Sequence, residues 1–434
     1  ASALQLLPGD GDVGGWLTSD ARVDGVAFTG STATALKIRR AMAEHLNPAA
    51  PLIAETGGLN AMLVDSTALP EQAVRDVIAS SFQSAGQRCS ALRCLYLQED
   101  IAPHVLEMLK GAMAELRLGE PWHLTTDVGP VIDAQAQAGI AAHVAQARSE
   151  GRVLAEMAAP SGGTFIAPTV IKVSGIAQMQ REIFGPVLHV ATFKASEIEA
   201  VIGAINATGY GLTFGLHTRI DDRVQKVVET IRVGNAYVNR NQIGAVVGSQ
   251  PFGGEGLSGT GPKAGGPEYL IRFTAAPAPV AHGPAGQAQE ASVQAALKAT
   301  QPAAQALEAH DLPGPTGESN RLSFYQRAPI LCLGPDAASA LAQAEAVRKL
   351  GGLAVEAAGL EPQARTRLQG FSGAICWGEA AHAHARALAG REGPILPLIA
   401  GLPDKGHVVL ERHVCIDTTA SGGNAQLLAQ VSEA

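Results

Sequence analysis

A chain of 434 residues, 46% of them apolar, has material for two or three domains with sizeable cores. Its net charge of −8, with basic residues scattered rather than clustered, argues against nucleic acid as a main partner. No apolar run reaches the length of a membrane span, and the five cysteines show neither paired nor metal-like spacing, which points to a reducing, cytoplasmic setting.

The first predicted strand is Val23 to Phe28. Thr29-Gly30-Ser31 follows, then a helical run from Thr32 to His45. Ser31 suits an N-cap, and a helix start behind a glycine turn favours an anion, although capping alone also explains the serine. Pro51 to Ala54 and Ala61 to Val64 read as strands on either side of Glu55 to Asn60. There an acid ends an apolar run and two glycines follow it. Glu71 to Ala85 carries Ala73, Val74, Val77, Ile78 and Phe82 at helical spacing, and Gly86 is the expected stop. Leu92 to Leu97 reads as a short strand.

Cys89 therefore sits on a tight connection between helix and strand, a common place for a reactive group. By residue type alone a cysteine is more often a small buried hydrophobe. Its neighbours favour chemistry: Gly86 and Ser90 are small, and the positive Arg88 suits a thiolate. A thiol nucleophile needs a base, or an acid that later activates water, and Glu55 is the candidate upstream.

Two long helices are expected between Ile101 and Glu150, with His104, His123 and His143 at the surface. Thr164 to Val173 reads as a strand, and the run from Arg181 to Val187 spells R-E-I-F-G-P-V. Those residues suit a strand-edge turn with a buried Phe equally with a carboxylate that accepts two hydroxyls. Glu197 to Asn206 (helix), Thr213 to His217 (strand), Asp221 to Ile231 (helix) and Gly234 to Val238 (strand) lead to a glycine-bearing loop, Asn239 to Gly248. Ala275 to Ala291 is rich in Ala, Pro and Gly and reads as a linker. Beyond it, Ser292 to Ala309 reads as a helix and Leu312 to Asn320 as a turn-rich loop. Strands at Ile330 to Leu333, Ala374 to Trp377 and Ile395 to Ile399 then alternate with helices at Ala337 to Leu350 and Glu379 to Ala389. This predicts a small parallel βα domain without a catalytic set, with Cys332, Cys376 and Cys415 in the core.

E-T-G-G at Glu55 to Gly58, followed by G-Q-R-C-S at Gly86 to Ser90, resembles the glutamate and cysteine motifs of the aldehyde dehydrogenase superfamily. C-S-A, E-I-F-G-P-V and the G-L-S-G-T-G-P-K of Gly256 to Lys263 resemble the glutamate-semialdehyde (pyrroline-5-carboxylate) dehydrogenases. L-P-G-P-T-G-E-S-N from Leu312 and I-D-T-T-A-S-G-G-N from Ile416 resemble the C-terminal half of the bifunctional proline utilization A group. The resemblance implies an α/β fold of aldehyde dehydrogenase type. Residues 1–56 would close a partial NAD-binding Rossmann-type domain, 57–274 would form the catalytic domain and 275–291 a linker. Residues 292–434 would form a C-terminal α/β domain with a closing segment at 416–428.

The same resemblance implies Cys89 as nucleophile and Glu55 as general base. It implies NAD contacts from Gly30, Ser31, Gly57, Glu182 and Phe184. The substrate's α-carboxylate would meet the N–H groups of Gly244 and Ala245 and the hydroxyl of Ser90, with Phe252 against its methylenes and no metal. The implied reaction oxidises L-glutamate γ-semialdehyde to L-glutamate, in a homo-oligomer. Upstream of Ala1 the resemblance implies the rest of the NAD domain and an FAD-dependent proline dehydrogenase domain. Three other readings stay open: a general aldehyde dehydrogenase, a non-catalytic oligomerisation module, and a cysteine hydrolase or acyltransferase.

Overall fold

The structure is a computed structural model that describes residues 3–274 and 286–419. It divides into two compact units, one of residues 1–56, 256–309 and 323–411, the other of 57–255, 310–322 and 412–434.

In the first unit the strands Val26–Gly30 and Leu52–Thr56 pair in parallel, with Thr29 opposite Glu55. The helix Thr32–His45 connects them. Its N-cap Ser31 accepts a hydrogen bond from Thr34 N–H at 3.1 Å. A second sheet holds four parallel strands in the order Ala354–Glu356, Ile330–Cys332, Gly373–Ile375, Leu398–Ile399. Its parallel strands follow the expected βα alternation, with Ala354–Glu356 as an unforeseen strand. Leu331, Val355, Ala374 and Cys376 build its core.

The second unit carries a large sheet. Its order is Val153–Glu156, Thr169–Lys172, Val187–Phe193, Cys94–Gln98, Ala61–Val64, Thr213–His217, Asn235–Val238, Val409–Asp417, Glu318–Gln326, Glu308–Leu312. The last three strands contribute to this unit through residues 310–322 and 412–417. Every pair from Thr169–Lys172 to Val409–Asp417 runs parallel. The central strands are buried on both faces, so they read as near-continuous apolar runs. Alternate residues feed two cores: Met62, Val64, Leu95 and Leu97 face one, and Ala61, Leu63, Cys94 and Tyr96 the other.

Several expectations change. The helix before Cys89 is Pro70–Phe82 and ends short of Gly86, because Ser84 and Ala85 take left-handed φ angles of 55° and 52°. The helix expected to run to Ala309 is Glu290–Ala299; Pro302 restricts Gln301 and the chain leaves helical geometry there. The turn-rich loop expected from Leu312 to Asn320 is shorter, residues 313–317, and connects Glu308–Leu312 to Glu318–Gln326, which lie side by side in the sheet. Val409–Asp417 is a strand that no sequence pattern announced. His104 and His123 are exposed, but His143 is half-buried, and its Nε2 lies 2.9 Å from Nε2 of the buried His189. Of the expected linker and closing segment, residues 275–285 and 420–428 lie outside the described residues.

Candidate active site

Cys89 is partly exposed, whereas the other four cysteines are buried. Burial pushes the thiols of Cys94, Cys332 and Cys415 up to about 12, and that of Cys376 to about 11. Those four stay protonated and unreactive at neutral pH.

The loop that presents Cys89 is fixed at its carbonyls, and the donors are buried side chains. Asn60 Nδ2 donates to the carbonyls of Cys89 at 2.7 Å and Ala91 at 2.9 Å. Thr213 Oγ1 and Gln242 Nε2 each donate to the Ser90 carbonyl at 3.2 Å. Arg93 Nη2 donates to the Arg88 carbonyl at 3.1 Å, and Arg93 Nη1 to that of Gly86 at 2.7 Å. Asn60, Arg93 and Thr213 stand at the amino ends of three adjacent strands, so the sheet itself sets the loop. Gly86 has φ +66°, and a Cβ there would stand 2.2 Å from the Gly185 carbonyl oxygen. Only glycine fits that approach.

Arg93 also reaches the E-I-F-G-P-V segment. Its Nε and Nη2 donate to Oε1 of Glu182 at 3.2 and 3.0 Å, and its guanidinium lies 5.1 Å from the centre of the Phe184 ring. Burial pushes the Glu182 carboxyl up, and Arg93 with the Gly58 N–H opposes that shift. Burial likewise pulls Arg93 down while Glu182 opposes it. A guanidinium has proton affinity in reserve, so the pair is ionic. Glu182 Oε2 lies against Gly57, where a Cβ would stand 1.9 Å from it. Phe184 is 44% exposed, which rules out the buried-Phe turn.

The loop after Asn235–Val238 is anchored at its base. Arg240 forms an ion pair with Glu318, and Gln250 Nε2 donates to Glu318 Oε1 at 3.2 Å. Gln242 is fully buried, and its N–H donates to Ser80 Oγ at 3.2 Å. Beyond it Gly244 turns at φ +72°. The N–H groups of Gly244 and Ala245 make no hydrogen bond among the described residues. A Cβ on Gly244 would lie 3.8 Å from Arg88 Nη1, so this loop faces the residue before Cys89. Phe252 is half-buried; the flanking Pro251 carbonyl and Gly253 N–H bond the Asn235 amide at 2.9 and 3.3 Å.

Gly30, Ser31 and Glu55 belong to the first unit. Gly30 ends its strand opposite Thr56, and the half-buried Glu55 is bridged to Gly259. Cys89, Ser90, Gly57, Glu182, Phe184, Gly244, Ala245 and Phe252 belong to the second. Asn60, Arg93, Thr213 and Gln242 escaped sequence reasoning. The available signal was a polar residue inside an apolar run, as with Arg93 between Leu92 and Cys94.

Comparison with known proteins matches residues 1–277 to the aldehyde dehydrogenase family. Bifunctional protein PutA of Salmonella typhimurium is 44% identical over 490 aligned positions, covering 98% of this chain and 37% of that protein. The chain thus spans little more than a third of that curated relative. A crystal structure of a Bradyrhizobium japonicum proline utilization A variant superposes with TM-score 0.60 at 53% identity, over 61% of this chain and 27% of the other. A 1-pyrroline-5-carboxylate dehydrogenase from Thermus, solved with bound NAD, gives TM-score 0.57 at 36% identity, over 62% and 52% of the two chains.

Proposed function

Since the chain belongs to the aldehyde dehydrogenase family, we propose that it carries the nucleophile and substrate loops of an NAD-dependent oxidation of L-glutamate γ-semialdehyde to L-glutamate. The observation that carries this reading is the run of carbonyls from Arg88 to Ala91, each held by a buried donor, around a partly exposed Cys89, with the Arg88 side chain beside a loop whose Gly244 and Ala245 N–H groups have no partner among the described residues. Cys89 as thiolate attacks the aldehyde carbon. The oxygen that gains charge is met by the Cys89 backbone N–H. Collapse of that adduct expels hydride and leaves a thioester on Cys89. Glu55 takes a proton from water, the hydroxide attacks the thioester, and L-glutamate leaves as the thiol reforms.

Selectivity for a substrate bearing a carboxylate comes from the N–H groups of Gly244 and Ala245 with the Ser90 hydroxyl, and Phe252 covers the methylenes. The residues present fit a dinucleotide: the Glu182 carboxylate, held ionic by Arg93, stands in the place beside Gly57 that a side chain there would take. Glu182 would take the ribose hydroxyls, Phe184 would pack beside them, and Gly30 with Ser31 would meet the pyrophosphate at a helix start. NAD+ when bound accepts the hydride. Further domains, among them a proline dehydrogenase, accompany this one in the full protein, which works as a homo-oligomer in the cytoplasm.

The test is NADH absorbance with glutamate semialdehyde and NAD+, for the full-length protein and its Cys89→Ser variant. A signal that disappears in the variant supports the reading. Turnover that survives Cys89→Ser overturns it.

A further inference from the structure

Arg93 is fully buried, yet it serves five acceptor contacts on four groups. Two are the carbonyls of Gly86 and Arg88, just before the nucleophile. A third is the Gly185 carbonyl at 3.3 Å. The remaining two go to a single oxygen of Glu182. We infer that Arg93 is a positioning residue that joins the nucleophile loop to the cofactor carboxylate, so that the state of Glu182 is felt by the Cys89 thiol. This rests on the roles proposed above for Cys89 and Glu182.

The geometry supports the link in two ways. Because Nε and Nη2 both occupy Oε1, the second carboxylate oxygen is turned towards Gly57, on the side assigned to the ribose. A planar fork of donors sets that orientation; an ammonium on a flexible stem does not. And Nη2 is shared between Glu182 Oε1 and the Arg88 carbonyl, so a pull on Glu182 shifts the donor that fixes the residue before Cys89. The charge acts at the same point. Arg93 is attracted to a Cys89 thiolate, and it sits where no water screens it. Its positive charge favours the thiolate, while the Glu182 carboxylate opposes it.

Opposite signs follow for two substitutions. The rate of Cys89 alkylation by iodoacetamide, read by peptide mass spectrometry across pH, reports the thiolate. In Arg93→Met the midpoint of that profile moves up by about 1 to 3 pH units. In Glu182→Gln it moves down, because the guanidinium loses its competing anion. Arg93→Lys keeps the charge but not the fork. Its midpoint stays nearer the parent's, while added NAD+, expected to change the alkylation rate of the parent, leaves that of the lysine variant unchanged. Limiting rates at high pH that match the parent show that the loop is intact. Midpoints that move the same way in the methionine and glutamine variants, or not at all, overturn the inference and leave the proposed reaction standing. A parent Cys89 that iodoacetamide does not label overturns both. Should Arg93→Met fail to fold, the lysine and glutamine variants still decide.

Discussion

Gln242 Nε2 lies 3.2 Å from the carbonyl oxygen of Ser90, so the loop proposed to read the substrate and the loop proposed to attack it share one buried hydrogen bond. The same nitrogen is 3.2 Å from Thr213 Oγ1, which also donates to Ser90. Replacing Gln242 with leucine removes one of two donors and leaves its neighbours partly unpaired. The expected cost is about 1 to 3 kcal/mol of stability. KM for glutamate semialdehyde should rise more than KM for propanal, which has no carboxylate to place. Urea unfolding and initial rates with the two aldehydes check this. Equal changes in KM for both would count against a carboxylate site in the 239–248 loop.

Gly57→Ala puts a methyl group 1.9 Å from Glu182 Oε2. The carboxylate must swing away, and Arg93 resists because it holds the other oxygen. The expected outcome is a KM for NAD+ raised about tenfold, equivalent to 1.4 kcal/mol, with kcat less affected. Initial rates against NAD+ concentration decide; an unchanged KM would place the ribose elsewhere.

Two neighbouring glycines separate backbone strain from simple crowding. At Gly86 a methyl group meets backbone atoms, the Gly185 carbonyl at 2.2 Å and the Ser81 carbonyl at 2.9 Å, and φ is +66°. At Gly185 it meets the terminal methyl of the Ile140 side chain at 2.5 Å, which yields more readily than backbone, and φ there is not positive. Gly86→Ala should therefore lose stability by more than about 1 to 3 kcal/mol, the usual strain for such a conformation. Gly185→Ala should lose less. Parallel denaturation curves check the order.

Much of this architecture was legible in the residues, and the failures share a cause. The helix Thr32–His45 and the strands Ala61–Val64 and Thr213–His217 stand where periodicity put them, because local pattern and burial agree there. The strand Val409–Asp417 was missed: it alternates buried and half-buried residues, and its partner Asn235–Val238 is remote in sequence. At the candidate site, motifs pointed to Cys89 and Glu182. They did not expose Asn60, Arg93 or Gln242, whose work is to satisfy carbonyls supplied by other segments. Such a role exists only in three dimensions. His143 was read as a surface residue for the same reason, since nothing near it in sequence announces His189.

That histidine pair gives a pH dependence. His189 Nδ1 donates to the Arg93 carbonyl at 3.1 Å, so its Nε2 accepts from His143. Burial first, and His143 second, pull His189 down from 6.5 to about 4. Between those values the unfolded chain binds the proton and the folded one does not. Stability is therefore full above about pH 6.5 and is lost as pH falls towards 4. His189→Asn should flatten the slope of stability against pH in that window by up to about 1.4 kcal/mol per unit. Some slope will remain, because burial also pulls His217 down to about 4. Urea midpoints from neutral to acid pH test it, and an unchanged slope would refute it.

Asn235–Val238 lies between Thr213–His217 on one side and Val409–Asp417 on the other, with Asn235 opposite His413. A central strand of this sheet thus waits for a partner made much later by the ribosome. Until that partner emerges, one row of Asn235–Val238 backbone donors and acceptors is open to any extended peptide nearby. Closing so long a loop is slow, and the interval is a window for mispairing. During synthesis the exposure of that edge lasts as long as the stretch between Val238 and Val409 takes to emerge.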